Sequence, residues 1–196
     1  MPALFIVLEG PDGAGTTTQC RLLEERLRNE GHDVLLTAEP TDGPIGTWIR
    51  SQLKNGKPVP SIALQLLFCA DRAWHIDEVI KPALNAGKIV ICDRYSPSTI
   101  IYANAQEMDI GMLEILNNDF IQPDLLVFTL PPVDVSLARL KERTESDYFE
   151  KENLQRRIHA GYSEMAAKNK KILVVDTSGT KTGAANVIYA TMMKFL

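Results

Sequence analysis

Residues 8–18 read Leu8-Glu9-Gly10-Pro11-Asp12-Gly13-Ala14-Gly15-Thr16-Thr17-Thr18. Gly10 and Gly15 stand at the spacing of a phosphate-binding loop, G-x-x-x-x-G-K-[ST]. The lysine position holds Thr16; the hydroxyl position, Thr17, is intact. Before the loop, residues 3–8 are an unbroken apolar run, as expected of a strand buried on both faces. After it, Cys20, Leu23 and Leu27 recur at helical spacing, and Gly31 supplies a stop. Strand, glycine loop and helix in that order are the setting the motif requires. Glycines let successive backbone N–H groups point into one concavity, and the helix N-terminus adds partial positive charge. Thr17 is placed to reach a nucleotide-bound Mg²⁺. Without the lysine, an ordinary glycine-rich turn remains an open reading of the segment.

Outward from the loop the chain alternates between the two periodicities. Strands are expected at 4–9, 33–38, 88–92, 124–130 and 171–175. Helices are expected at 16–30, 44–54, 61–86, 98–121 (broken near Asp109), 133–143, 149–168 and 181–195. Such alternation gives an α/β fold of three layers, a five-stranded parallel sheet with helices on both faces. Ligands then bind beyond the carboxyl ends of the strands.

The 196 residues suffice for one domain, 1–196, with a full core and a short lid at about 139–150. Hydrophobic residues make up 45% and charged residues 23%, an ordinary globular balance. A net charge of −4 argues against broad binding to nucleic acid, though not against a local anion site. No apolar run approaches a membrane span, and the N-terminal run is the first strand rather than a signal peptide. Cys20, Cys69 and Cys92 are widely spaced in apolar surroundings, which reads as buried free thiols in a reducing cytoplasm rather than a metal site. His32, His75 and His159 have no ligand or triad spacing and are taken as surface or packing residues.

The remaining candidates fall where that fold puts ligands. Asp93 and Arg94 follow the third strand, where one could hold Mg²⁺ through water and the other clamp a phosphate; a structural Asp–Arg pair is the alternative. Glu39 ends the second strand, as a catalytic-edge carboxylate or as a turn residue before Pro40. Phe68 and Arg72 share a helix face, so that a ring and a guanidinium could stack on and hydrogen-bond a base, unless Phe68 belongs to the core. Arg139, Lys141 and Arg143 read as a solvated helix end or as a lid bringing cations onto a transferring phosphoryl group.

With Glu9–Thr18, Gln65–Arg72 and Asp93-Arg94-Tyr95-x-x-Ser98-Thr99-x-x-Tyr102 in order, the chain resembles the thymidylate kinases, P-loop nucleoside monophosphate kinases, from about Ala3 to the C-terminus. The resemblance implies transfer of the ATP γ-phosphoryl group to dTMP with Mg²⁺ as cofactor, no nucleic-acid or membrane partner, and a homodimer for which helix 61–86 is the candidate interface. By motif position Gly10, Gly13, Ala14, Gly15, Thr16, Thr17 and Thr18 would cradle the ATP phosphates, and Thr17 and Asp93 would serve the metal. Asp12 would face the acceptor sugar or the metal. Phe68 would stack on thymine, Arg72 would bond its edge, and Arg94 would hold the dTMP phosphate with Arg50. Ser98 and Thr99 would line the base pocket, Tyr102 would crowd a 2′-hydroxyl, and Glu39 stands among the acceptor-side residues. Arg139 and Arg143 would belong to the lid, and residues 176–179 would pass the adenine.

The chain departs from the family pattern in Thr16 for lysine, in Ala38 where many bacterial members carry arginine, and in Ala103 where glutamine is common. Lid and active-site arginines are expected to compensate for the first. Two other functions fit the sequence: a kinase for another pyrimidine deoxynucleotide, and a nucleotide-binding module with weakened catalysis.

Overall fold

The computed structural model describes residues 3–55, 59–142 and 148–195. Its centre is β1 (Leu4–Glu9), buried at every position. β1 lies between β3 (Ile89–Asp93) and β4 (Leu125–Thr129); β2 (Val34–Ala38) flanks β3, and β5 (Leu173–Val175) flanks β4. All pairings are parallel, in the order 2-3-1-4-5. β1 alternates its side chains between two apolar layers. Leu4, Ile6 and Leu8 pack with Cys20, Leu23 and Leu27 of α1 (Thr16–Asn29) and with Ile188 and Met192 of α9 (Lys181–Met192). Phe5 and Val7 face the opposite layer with Ile76, Ile80 and Tyr95. Burying each such side chain stabilises the fold by about 1.5–3 kcal/mol. β1 therefore reads as a continuous apolar run, because neither face meets water.

The remaining helices are α2 (Pro44–Asn55), α3 (Ser61–His75), α4 (Lys81–Asn85), α5 (Ser96–Ala105), α6 (Gly111–Asn118), α7 (Val133–Lys141) and α8 (Glu152–Lys168). The expected helix 61–86 is continuous but widens into a π-helical segment at Ile76–Ile80, between α3 and α4. Pro82 explains the change, since it has no N–H to donate and its ring would crowd the carbonyl four residues back. The expected run 98–121 is two helices parted at 106–110, where Glu107 takes φ 62°. The last strand is shorter than expected and α8 starts three residues later. The three cysteines are buried and free, and burial pushes their thiols upward, so they stay protonated and inert as nucleophiles.

Candidate active site

The loop leaves β1 at Glu9 and enters α1 at Thr16. Gly13 and Gly15 take φ 79° and 84°, where a side chain is strained. A Cβ at Gly13 would also fall 2.4 Å from the Ser136 carbonyl oxygen on α7, and one at Gly10 2.5 Å from Thr129 Oγ1 on β4. These glycines let two elements approach the loop from behind. The first turn of α1 precedes the first intrahelical bond, from Gln19 N to Gly15 O (3.1 Å), and offers its N–H groups to an anion. Thr177, beyond β5, donates its hydroxyl to Ala14 O at 2.6 Å and fastens the 176–179 segment to the loop.

Thr16 is turned into the wall. Its Oγ1 lies 2.8 Å from Thr129 Oγ1, whose own proton goes to Glu9 O (3.0 Å), so Thr16 is the donor. Its side chain is buried there, leaving its backbone N–H for a phosphate. Positive charge reaches the loop from elsewhere. Arg94 Nη1 donates to Gly10 O at 3.0 Å. Arg139 Nη1 donates to Gly13 O at 3.4 Å and its Nη2 to Thr177 O at 2.8 Å. Arg139 lies within α7; Lys141 is exposed and pairs with Glu152 at 3.8 Å; Arg143 lies outside the described residues.

Thr17 Oγ1 donates to Asp93 Oδ2 at 2.5 Å, placing two hard oxygen ligands side by side at the loop mouth. This donor set fits Mg²⁺. The pair lines a cleft of about 240 Å³ with Arg21, Asp42 and Arg50. Arg50 grips the Pro40 carbonyl and Asp42 (2.8 Å) there, so it faces the metal-candidate pair, and the cavity that holds Phe68 is walled by other residues.

Arg94 holds φ 74°, a conformation that costs a residue with a side chain about 1–2 kcal/mol. Its N–H bonds Leu8 O (2.9 Å), and its guanidinium reaches Asp12 Oδ1 (2.5 Å), Ser98 Oγ and Tyr102 Oη (both 3.2 Å). Glu9 supports this turn from below. Its Oε1 accepts from Tyr95 N (2.6 Å) and Ser98 N (3.2 Å), and its Oε2 from Ser98 Oγ (2.6 Å) and Tyr162 Oη (2.7 Å). Burial raises the Glu9 carboxyl above its ordinary value, more than Arg94 and these bonds lower it. Burial likewise pushes the Tyr102 phenol up, so it stays neutral beside Arg94.

Asp12, Phe68, Arg72, Arg94, Ser98, Thr99 and Tyr102 line one cavity of about 130 Å³, closed on one side by Phe149. Phe149 meets Tyr102 edge-on at 5.1 Å. Arg72, 1% exposed, is fixed by Glu39 (2.7 Å), Thr99 (3.1 Å) and Asn117. The other Glu39 oxygen meets His75 Nδ1 at 3.0 Å, and His75 Nε2 is 2.7 Å from Thr37 Oγ1. Glu39 thus lines the same cavity with its two oxygens committed to Arg72 and His75. His75 is a fully buried member of this polar network. Sequence reasoning missed Glu9, Gln65, Asn117, Thr129, Gln155 and Tyr162 at the site. Glu9 and Gln65 stood in quoted motifs without a role, and the other four lack a local pattern.

The carboxyl ends of neighbouring parallel strands thus deliver acids and guanidiniums to a helix N-terminus, with the cysteine thiols held protonated. Such an arrangement aligns and neutralises phosphates rather than forming a covalent intermediate, which makes this a P-loop phosphotransferase. A family model described as thymidylate kinase matches residues 8–188. The chain is 42% identical to a "Probable thymidylate kinase" of Pyrococcus abyssi, over 90% of this chain and 89% of that one. It is 40% identical to a protein of the same description from Thermococcus kodakarensis, over 88% and 89%. A "Thymidylate kinase" of a Synechococcus strain is 39% identical over 93% and 90%. The chain belongs to the thymidylate kinase family.

Proposed function

We propose that this protein is an ATP-dependent dTMP kinase that makes dTDP and ADP. The observation that carries the reading is the single cavity joining Phe68 and Arg72 to Asp12 and Arg94 at the edge of the phosphate loop. Thymine stacks on Phe68, with Arg72 at its edge and Thr99 beside it. Arg72 offers only donors, which suits a carbonyl at the base edge and disfavours an amino group. Tyr102 stands against the sugar, Asp12 faces its hydroxyl, and Arg94 takes the 5′-phosphate. The α1 N-terminus and Arg139 hold the ATP phosphates. Thr17 and Asp93 would hold Mg²⁺, which would supply positive charge to offset that of the phosphates. Arg50 belongs to this side of the site.

The chain works in this reading as one domain with a lid at about 139–150. Arg139 touches the loop at one end of that segment and Phe149 walls the cavity at the other. The protein acts in the cytoplasm, which its unpaired buried cysteines favour, and as a homodimer. Support for the dimer is an apolar surface of Ile62 and Leu66 on α3 and Met112, Ile115 and Leu116 on α6, with Ile115 68% exposed on a helix packed against α3. Sedimentation should give a dimer that Ile115→Asp dissociates.

Steady-state ADP production with ATP and Mg²⁺ tests the activity, with dTMP, dUMP, dCMP, thymidine or no acceptor. Strong preference for dTMP is expected. Preference for another acceptor would replace the substrate assignment, and nucleotide binding without turnover would leave a binding module.

A further inference from the structure

Gln155, on α8, is 2% exposed and plays no part in the reading above. Its Nε2 donates to Asp12 Oδ2 at 2.6 Å and to the Phe149 carbonyl at 3.1 Å. Both partners are acceptors, so the amide nitrogen must face them, and Oε1 is left buried without a partner. A carboxamide spending one half on two bonds while orphaning the other is costly, unless those two bonds have a purpose. They join two things the reaction needs. Asp12 is the acceptor-facing carboxylate, held on its other oxygen by Arg94 (2.5 Å) and bordered by Tyr102. Phe149 is the cavity wall against Tyr102.

We propose that Gln155 is a positioning residue for phosphoryl transfer: it fixes the Asp12 carboxylate between itself and Arg94, and draws the Phe149 wall onto the same point. This rests on the dTMP kinase reading. Arg94 alone would leave Asp12 free to rotate about one ion pair; the second bond, from an element 143 residues away, sets the plane of the carboxylate. Because one nitrogen serves both partners, wall and carboxylate move together.

The test uses Gln155→Leu and Gln155→Glu in the full chain, after melting curves show both variants folded at the assay temperature. Gln155→Leu should lower kcat/KM for dTMP at least tenfold and leave KM for ATP within about twofold, since one charge-assisted hydrogen bond is lost on the acceptor side. Gln155→Glu supplies a readout that packing alone would not give. When protonated, the introduced carboxyl donates an O–H to Asp12 as the amide did; when ionised, it repels Asp12, with Arg94 and Tyr102 the other groups facing that carboxylate. Its activity should approach wild type at the acid end of the profile and fall with rising pH, through a titration the wild type lacks. Gln155→Leu acting like wild type on dTMP, or a Gln155→Glu profile superimposable on wild type, would overturn the proposal. A wild-type protein that neither phosphorylates nor binds dTMP would overturn the function reading, and this proposal with it.

Discussion

Restoring the missing charge, as Thr16→Lys, isolates what this chain does differently. The substitution removes one hydrogen bond, from Thr16 to Thr129, worth about 0.5–1.5 kcal/mol net. Thr129 keeps its bond to Glu9 O, so no orphan is made and the melting temperature should drop by only about 2–4 °C. An electrostatic contact to the reacting phosphates is worth about 2.7–4 kcal/mol where nothing else provides it, on the order of a hundred- to thousandfold in rate. Here two guanidiniums already touch the loop, Arg94 at Gly10 O and Arg139 at Gly13 O. The added lysine should therefore raise kcat less than about tenfold, by the scale above. Steady-state kinetics on Thr16→Lys, Arg139→Ala and the double variant decide the matter. Loss of Arg139 should cost more in the wild type than beside the lysine, with a coupling of about 1 kcal/mol or more. A gain above a hundredfold with additive effects would refute compensation and leave the wild type a handicapped enzyme.

Three further outcomes follow from packing and burial. The raised Glu9 carboxyl contributes stability when protonated, fully below its unfolded value near about 4.3 and lost as pH rises through the raised folded value. Urea midpoints of Glu9→Gln should thus gain on the wild type as pH rises across that window; parallel curves would contradict the assignment. Gly13→Ala forces a Cβ to 2.4 Å from the Ser136 carbonyl at φ 79°. It should cost more than about 2 kcal/mol, the left-handed strain alone being about 1–2, and an unchanged melting temperature would count against the close packing. Gln65, 1% exposed, has both amide atoms buried and unpaired. Gln65→Leu should stabilise by about 1 kcal/mol and raise the melting temperature about 2–4 °C; a fall would mean that the amide has a partner.

Much of the fold was legible because its rules are local. The apolar run before Gly10 and the three-four spacing after Thr17 sit within one element each, and strand–helix alternation leaves few topologies. The π-helical widening at Ile76–Ile80 escaped because periodicity still reads as helix across it; Pro82 was the available signal. At the site, helical spacing paired Phe68 with Arg72, and the resemblance to the thymidylate kinases, carried by short separated motifs, joined Asp12, Arg94 and Tyr102 to them; one cavity holds all five. Neither could show that Thr16 bonds Thr129, that Glu39 turns onto Arg72 and His75, or that Gln155 holds Asp12. Each is a pairing across 33 or more residues, decided by which side chain fills a gap when layers close. Arg139 illustrates the same limit: its charge and helix were visible, but its contact with Gly13 depends on the angle of α7 over the loop.

The bond from Thr177 to Ala14 spans 163 residues and has a consequence for biosynthesis. β1 leaves the ribosome well before its two hydrogen-bonding neighbours, which arrive only at Ile89–Asp93 and Leu125–Thr129. Until then Leu4–Leu8 is an unpaired, uncharged ribbon of high β-propensity, the type of segment that chaperones hold and aggregates recruit. The phosphate loop gains its last clasp later still, when residue 177 has been made. A growing chain of this topology therefore cannot engage nucleotide with the finished site before residue 177 has emerged, and ligand cannot speed its early folding. Mistakes during synthesis would be expected to appear as lost protein rather than as misdirected phosphoryl transfer.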